Sequence, residues 1–308
     1  MADGSAIEWT DATWNPTTGC TKVSPGCAHC YIERTPAFRI AGRTFVNGAI
    51  PLELHANRLE QPLHWRKPRR VFVNSLSDLF HDDVPDAFIE RVFSVMALAE
   101  RHTFQVLTKR PARMRAWFQA RRFDVKGYAI LQSESGECVY AHPWPLPNVW
   151  LGVSVENQHF ADERIPLLLQ TPAAVRFISA EPLLGPIDLT HLPLPGHPAD
   201  FDALRCYDDE RDEPLFRGAC LDWVIVGGES GPGARTFDAG WARSIVGQCR
   251  GAGVPVFVKQ LGSHAFDIDG KDEMLGYLDL RDRKGGNPDE WPIDLRVREY
   301  PAVKKVPV

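Results

Sequence analysis

The 308-residue sequence lacks several features that would place it in a broad protein class at once. It has no apolar run of about eighteen residues, so we expect no membrane-spanning helix. Its first residues are acidic and contain no apolar core of a secretory signal. Its net charge is -5, which argues against a polycation built for non-specific binding to nucleic acid. These absences favour a cytoplasmic globular protein.

The sequence also lacks the regular cysteine spacing of a disulfide framework. It has seven cysteines, an odd number, and four of them are scattered as Cys138, Cys206, Cys220 and Cys249. A reducing, cytoplasmic location fits this pattern better than a secreted scaffold.

The remaining cysteines form one compact motif. Cys20, Cys27 and Cys30 are spaced C-x6-C-x2-C, and thiolates this close in sequence indicate a metal site. Three protein ligands leave one coordination position open, which favours an iron–sulfur cluster over a closed structural zinc site. Two alternatives stay open: zinc with His29 or a distant cysteine as fourth ligand, and a redox or structural cysteine group.

Short apolar runs alternate with helical segments through most of the chain. The predicted strands are residues 71–74, 104–107, 149–153, 175–178, 223–226 and 254–258, with a further strand before the cysteines. The predicted helices are residues 85–102, 111–120, 159–170 and 238–250, and residues 54–65 also have helical spacing. Continuous apolar strands alternating with helices predict an α/β fold with a parallel sheet. We expect a full or partial (β/α) barrel rather than an open Rossmann sheet, with the chemistry at the polar strand ends.

The barrel is predicted to span residues 1–262. Two stretches interrupt the alternation, near residues 121–147 and 190–221, and both are interpreted as insertions because the pattern resumes after them. Residues 263–308 are predicted to be a C-terminal extension that packs on the barrel, with Trp291 as its anchor.

The cysteine motif and several strand-end motifs resemble a known superfamily. Three cysteines after the first strand of a predicted barrel, with the last pair in Cys27-Ala28-His29-Cys30-Tyr31, are similar to the radical S-adenosylmethionine (SAM) superfamily. The chain from residue 7 to about 262 more specifically resembles an uncharacterised phage and bacterial radical-SAM-like family. The motifs that carry this resemblance are Ile7-Glu8-Trp9-Thr10, Trp14-Asn15-Pro16, Ser75-Leu76-Ser77-Asp78-Leu79-Phe80, Leu107-Thr108-Lys109-Arg110-Pro111, Leu151-Gly152-Val153-Ser154-Val155-Glu156-Asn157, Ser179-Ala180-Glu181-Pro182-Leu183 and Gly227-Gly228-Glu229-Ser230-Gly231. The six-residue first gap departs from the superfamily's usual C-x3-C-x2-C.

The resemblance implies a cofactor and a reaction. Cys20, Cys27 and Cys30 would hold a 4Fe–4S cluster, whose free iron binds S-adenosyl-L-methionine. An electron from a donor such as flavodoxin or ferredoxin would cleave SAM and generate a 5'-deoxyadenosyl radical that abstracts hydrogen from a substrate. His29 stands where the superfamily has an aromatic residue near the adenine; alternatively it is a solvent-facing loop histidine.

Polar residues at the strand ends are the candidates for binding SAM. The acceptor motif that the superfamily usually has after its second strand, Gly-Gly-Glu, is missing there, and Ser75, Ser77 or Asp78 would substitute for it. The other candidates for cofactor binding are Lys109, Ser154, Glu156 and Glu181. Lys109 has a plainer interpretation as a surface cation, and Glu156 and Glu181 have one as solvated loop acids. Lys259 would neutralise Glu156 or Glu181, and Gly227-Gly228-Glu229 receives no role from sequence alone.

The substrate is predicted only as a class. The stretch from Lys109 to Lys126 contains seven Lys or Arg residues with Trp117, Phe118 and Phe123 among them. Cations mixed with aromatics are typical of nucleic-acid contact surfaces, although a solvated helix with core aromatics gives the same pattern. Modification or repair of a nucleic acid base is therefore the leading hypothesis, with a peptide, protein or nucleotide-sized substrate as its competitor. The alternative function is a non-catalytic nucleic-acid-binding protein stabilised by zinc or an iron–sulfur cluster.

Overall fold

The fold is described from a computed structural model. It describes residues 5–120, 128–132, 138–194, 196, 200–208, 213–268 and 274–302. Contacts divide the chain into two compact units. Among the described residues, the first comprises the chain up to Gly152 together with Thr171–Val175, and the second comprises Val153–Gln170 and the chain from Arg176 to residue 302.

Strands are short and numerous in the described part of the chain. In chain order they are β1 (Ala12–Trp14), β2 (Thr17–Thr21), β3 (Ala49–Leu54), β4 (Arg70–Val73), β5 (Thr103–Thr108), β6 (Tyr128–Gln132), β7 (Cys138–Pro143), β8 (Val149–Ser154), β9 (Val175–Ala180), β10 (Tyr207–Asp208), β11 (Glu213–Pro214), β12 (Trp223–Gly227), β13 (Phe237–Asp238), β14 (Val256–Gln260), β15 (Ala265–Ile268) and β16 (Met274–Tyr277).

The main sheet has seven strands in the order β1-β4-β5-β8-β9-β12-β14. Its pairings are parallel, as in Ala12 opposite Val71 and Trp223 opposite Phe177. The six predicted apolar strands and the strand before the cysteines are all present, and their buried side chains explain their continuous apolar character. The order follows the chain without reversing, as in a partial (β/α) barrel and unlike a doubly wound Rossmann sheet. The α/β class with parallel strands is thus confirmed.

Helices connect most of these strands. They are α1 (Pro36–Ile40), α2 (Asp86–Leu98), α3 (Pro111–Gln119), α4 (Gln158–Leu169) and α5 (Ala239–Ala252). Helix α5 begins one residue and ends two residues later than predicted: the Asp238 carboxylate accepts from the Gly240 N–H at its start, and Gly253 ends it in the left-handed conformation. Helix α2 ends at Leu98, earlier than predicted, and Pro85 is its N-cap residue. No helix in the described ranges is long and apolar enough to cross a membrane.

The predicted helix over residues 54–65 is wrong. Leu54 ends strand β3 opposite Thr17 of β2, and the segment continues as two 3-10 turns, Ala56–Arg58 and Gln61–His64. Strand pairing outweighs the helical spacing at Leu54, and Pro62 lacks the backbone N–H that a continuous helix would need.

The interrupting segments contain their own small sheets. Strands β6 and β7 pair as a hairpin within residues 121–147, and β10 pairs with β11 within residues 190–221. In the C-terminal segment, β15 pairs with β13 and β16. The predicted anchor Trp291 is buried, and its indole N–H donates to the Gly285 carbonyl.

Candidate functional site

The first cysteine of the motif lies in a strand rather than in a loop. Cys20 belongs to β2, which pairs antiparallel with β3. The preceding Gly19 has φ +97°, and a Cβ built there would lie 2.1 Å from the Pro51 carbonyl oxygen of β3. Only glycine fits this position, so the local sequence fixes how Cys20 enters the site.

Side-chain hydrogen bonds join the segment before Cys20 to the loop after β4. The Asn15 amide oxygen accepts from the Ser75 hydroxyl at 3.2 Å and from the Leu76 N–H at 2.8 Å. The Ser77 hydroxyl donates to the Thr17 carbonyl at 3.0 Å. Ser75 and Ser77, predicted to bind the cofactor, therefore hold the cysteine segment in place through these contacts.

The other two cysteines follow within one turn of each other. Cys27 is buried in the 3-10 turn Pro25–Cys27, with the Ser24 hydroxyl 3.7 Å from its Sγ. Cys30 precedes the 3-10 turn Tyr31–Arg34. Burial raises the pKa of Cys20 to about 12 and also raises the pKa of Cys30, and the charge of Cys27 adds to both shifts. Cys27 is thus within electrostatic range of both neighbours.

Cationic side chains surround the cysteines. The Arg110 guanidinium is 3.9 Å from the Cys20 Sγ and donates to the Thr21 carbonyl at 3.0 Å. Lys109 and Lys22 both act to lower the pKa of Cys30. These positive charges would stabilise thiolates and an anionic group that the thiolates bind.

The donor set fits an iron–sulfur cluster in its chemistry. Three thiols lie on one short segment next to fixed cations, and thiolates are the usual ligands of such clusters. Their arrangement is a separate matter from their chemistry. Among the described residues, no group of three or more His, Cys, Asp or Glu side chains is arranged to hold a metal ion.

Asp78 is a buried centre of hydrogen bonds beside this site. One carboxylate oxygen accepts from the Thr108 hydroxyl at 2.8 Å and from the Phe80 N–H. The other accepts from the Lys109 N–H at 3.0 Å and from the Arg110 guanidinium at 3.1 Å. The carboxylate therefore joins the loops after β4 and β5 and orients Arg110 toward Cys20.

Sequence reasoning missed His81. This histidine is buried, and its Nδ1 accepts the Asp83 N–H at 3.2 Å, so Nε2 carries the proton and donates to the Thr21 hydroxyl at 2.9 Å. Burial and the charge of Arg110 lower its pKa. Its place three residues after Asp78 was the available signal, but no spacing rule connects position 81 to position 21.

The remaining first-unit candidates lie at the edge of the site. His29 is exposed on the cysteine loop, and Lys109 is partly buried after β5. The Tyr31 hydroxyl donates to the Ser75 carbonyl, which adds another connection between the cysteine loop and the loop after β4.

In the second unit, Glu156 forms a buried ion pair. Its side chain is 0% exposed and accepts from Arg164 at 3.2 Å. The same guanidinium donates to the Ser154 carbonyl at 2.8 Å. Removing one partner of such a pair leaves the other charge buried and uncompensated, which costs about 3–5 kcal/mol. Glu156 and Ser154 therefore have a structural role in these contacts.

Glu181 forms a separate, partly exposed ion pair at the end of β9. The Lys259 ammonium lies 2.9 Å from one carboxylate oxygen, and the Ser179 hydroxyl donates to the other at 2.9 Å. The expectation that Lys259 neutralises one of the two glutamates is confirmed for Glu181.

The Gly227-Gly228-Glu229 segment is a site of close backbone packing. A Cβ at Gly228 would lie 2.2 Å from the Leu261 carbonyl oxygen, and one at Gly227 would lie 2.6 Å from Glu181. The buried Glu229 carboxylate pairs with Arg235 at 2.7 Å. Backbone packing thus accounts for Gly228, whereas Gly227 faces the Glu181 side chain.

The predicted basic and aromatic stretch is described only as far as residue 120. Trp117 and Phe118 are buried in the core, where Trp117 stacks on Phe93 and Phe118 packs edge-on against both rings. Arg113 donates to the Val84 carbonyl and pairs with Asp86. Core packing explains the aromatics at these two positions. Residues 121–126, including Phe123, lie outside the described residues.

Comparison with known proteins gives one family. Residues 4–286 match the family described as DUF5131, protein of unknown function. No curated protein matches the chain, and no solved structure matches it.

Proposed function

We propose that this chain, which belongs to the DUF5131 family, is a radical SAM enzyme whose cluster is held by Cys20, Cys27 and Cys30. The observation that carries the proposal is the placement of three thiols on one segment following β1 of a parallel sheet, with the Arg110 guanidinium 3.9 Å from the Cys20 Sγ. When bound, the 4Fe–4S cluster supplies the electron that cleaves SAM and starts hydrogen abstraction.

The chain's own residues would prepare the site for this chemistry. Arg110 directs N–H groups at Cys20 and at the Thr21 carbonyl, so it stabilises negative charge on the first thiolate. Asp78 holds Arg110 in that position, and His81 fixes the hydroxyl of the residue after Cys20. We assign the SAM carboxylate to Lys109, because this residue is close enough to influence Cys30.

The substrate class remains a nucleic acid base, with a flavodoxin or ferredoxin as the electron donor. The described part of the 109–126 stretch adds little support, since Arg110 and Arg113 already have acidic or carbonyl partners. The exposed loop around His29 is the side from which we expect the donor to approach.

Anaerobic reconstitution with iron and sulfide tests the proposal. We expect about four iron atoms per chain and a broad absorption band typical of a cubane cluster. Addition of dithionite and SAM should yield 5'-deoxyadenosine, measured by liquid chromatography and mass spectrometry. Cys27→Ser should lose most of the iron and all of the SAM cleavage.

Cys220→Ser is the matched control, because Cys220 is a partly exposed cysteine of the second unit. It should retain iron and SAM cleavage. Stoichiometric zinc without SAM cleavage in the reconstituted wild type would contradict the proposal and favour the metal-stabilised binding protein. Full cleavage by Cys27→Ser would instead refute the ligand assignment.

A further inference from the structure

Two cysteines outside the predicted cluster lie side by side in the second unit. Cys206 ends a buried turn and Cys220 follows the 3-10 turn Leu215–Gly218. Strands β10 and β11 pair between them, and the Leu215 N–H donates to the Cys206 carbonyl at 3.0 Å. The Cys206 thiol donates to the carbonyl of Ala219, the residue immediately before Cys220. The segment between the two cysteines therefore brings Cys220 back beside Cys206.

The two side chains are also close enough for each thiol to affect the pKa of the other. They differ in access to solvent, since Cys206 is fully buried and Cys220 is partly exposed. Cys206 also has φ +52°, a left-handed conformation that costs free energy for a residue with a side chain. Such strain indicates that the surrounding structure holds Cys206 in place opposite Cys220.

The electrostatic surroundings divide the roles of the two sulfurs. The neighbouring Cys206 side chain lowers the pKa of Cys220, and the charge of Arg176 acts in the same direction. The neighbouring Cys220 side chain and burial raise the pKa of Cys206. Cys220 is therefore the better nucleophile and the more accessible sulfur, while Cys206 remains a protonated thiol until its partner is oxidised.

We propose that Cys206 and Cys220 are a redox modification site, at which hydrogen peroxide oxidises Cys220 and Cys206 then closes a disulfide. In the first step the Cys220 thiolate attacks peroxide, so an S–O bond forms, the O–O bond breaks and hydroxide leaves, giving a sulfenic acid. In the second step the Cys206 sulfur attacks the sulfenic sulfur, so the S–S bond forms and the S–O bond breaks. The leaving hydroxide takes the Cys206 proton as water. The two sulfurs together lose two electrons to peroxide, and a dithiol such as dithiothreitol reverses the change.

Differential alkylation of the full chain tests the proposal. Reduced protein is freed of reductant, treated with hydrogen peroxide near stoichiometry, alkylated, digested without reduction and analysed by mass spectrometry. We expect loss of alkylation at Cys206 and Cys220 together and a peptide that joins them, with alkylation restored by dithiothreitol. In Cys206→Ser we expect dimedone to label Cys220 as a sulfenic acid, because the resolving thiol is gone.

Cys249→Ala is the control, since Cys249 is buried elsewhere in the second unit and should not change the yield of the linked peptide. The wild-type measurement decides the question even if Cys206→Ser fails to fold. Continued alkylation of Cys220 after peroxide, or a disulfide joining Cys220 to any cysteine other than Cys206, would overturn the proposal.

Discussion

Gly19 is the residue whose backbone most constrains the cysteine site. A side chain there meets two separate costs, the positive φ of +97° and a contact of 2.1 Å with the Pro51 carbonyl oxygen. Gly48 has a similar φ of +79° but has nothing within 4 Å of its Cβ position. A substitution at Gly48 therefore meets only conformational strain, whereas one at Gly19 meets conformational strain and steric overlap.

We predict that Gly19→Ala lowers the free energy of unfolding by about 3–5 kcal/mol, whereas Gly48→Ala lowers it by about 1 kcal/mol. The difference arises because the Pro51 carbonyl can move only if β2 and β3 separate. Urea denaturation of both variants measures this difference through the transition midpoints, provided that the dependence of the unfolding free energy on urea concentration is unchanged. Equal losses of unfolding free energy in the two variants would show that the β2–β3 pair accommodates the methyl group at position 19.

Sequence position identified the polar residues at strand ends but not their partners. Ser75, Ser77 and Asp78 were expected to face a cofactor, because polar groups after parallel strands commonly do. In the structure each satisfies backbone or side-chain groups from residues 15–17 or 108–110, and its role in cofactor binding stays a prediction. Such pairings join segments about sixty and thirty residues apart, and no local pattern in the sequence encodes them.

Strands and helices were predictable where one element's periodicity was undisturbed. The six apolar strands follow from the burial of their side chains, and helix α5 follows from its spacing to within two residues at each end. The helix prediction for residues 54–65 was wrong because the structure of this segment depends on pairing with β2, which lies more than thirty residues away. The same pairing placed Cys20 in a strand, although the motif had suggested a loop.

The element that replaces the predicted helix is held to the sheet by a buried histidine. The Nε2–H of His102, just before β5, donates to the Pro62 carbonyl at 3.1 Å. Its Nδ1 has no hydrogen-bond partner among the described residues. Burial lowers the pKa of His102, and the nearby Arg101 and Arg69 act in the same direction. Protonation would add a buried charge and an N–H without an acceptor.

We predict that the protein loses stability as the pH falls below about 6.5, the unperturbed histidine pKa. The sign follows because the unfolded chain binds a proton at His102 while the folded chain does not, so low pH favours unfolding, by up to about 1.4 kcal/mol per pH unit. His102→Gln keeps an N–H for Pro62 but cannot titrate. Urea unfolding at several pH values between 8 and 5 should show that the free energy of unfolding depends less steeply on pH in this variant than in the wild type.

His55 and His81 also have pKa values lowered by burial, so part of the slope should persist in His102→Gln. Identical slopes for the variant and the wild type would show that His102 does not contribute. A loss of stability at pH 8 as large as that at pH 5 would indicate a packing defect instead of a titration.

At the scale of the whole molecule, the strand order was predictable because right-handed strand–helix–strand units leave few alternatives. The division into two compact units was not, since the sequence shows no linker near Gly152 and one continuous pattern of strands crosses that position. The cysteine motif itself was visible at once in its spacing. Its supporting residues became visible only when distant loops were brought together.

Stability without a metal distinguishes the two proposed functions. The cysteine segment has its own apolar cluster, in which Ile32, Phe38 and Ile50 pack against Cys20 and Cys30. It is further held by the β2–β3 pairing and by hydrogen bonds that use no sulfur atom. The fold of this region therefore rests on contacts that do not involve a metal ion.

We predict that protein stripped of metal by a chelator keeps its far-ultraviolet circular dichroism and a single cooperative urea transition. Reconstitution should then raise the unfolding free energy by about 3–4 kcal/mol, as expected for a ligand that binds only the folded state at a thousand times its dissociation constant or less. A metal-stapled binding module behaves oppositely, because its small core cannot fold without the ion. Loss of the cooperative transition on chelation would thus favour the metal-stapled module. Retention of the transition, together with SAM cleavage after reconstitution, would support a preorganised site for a catalytic cluster.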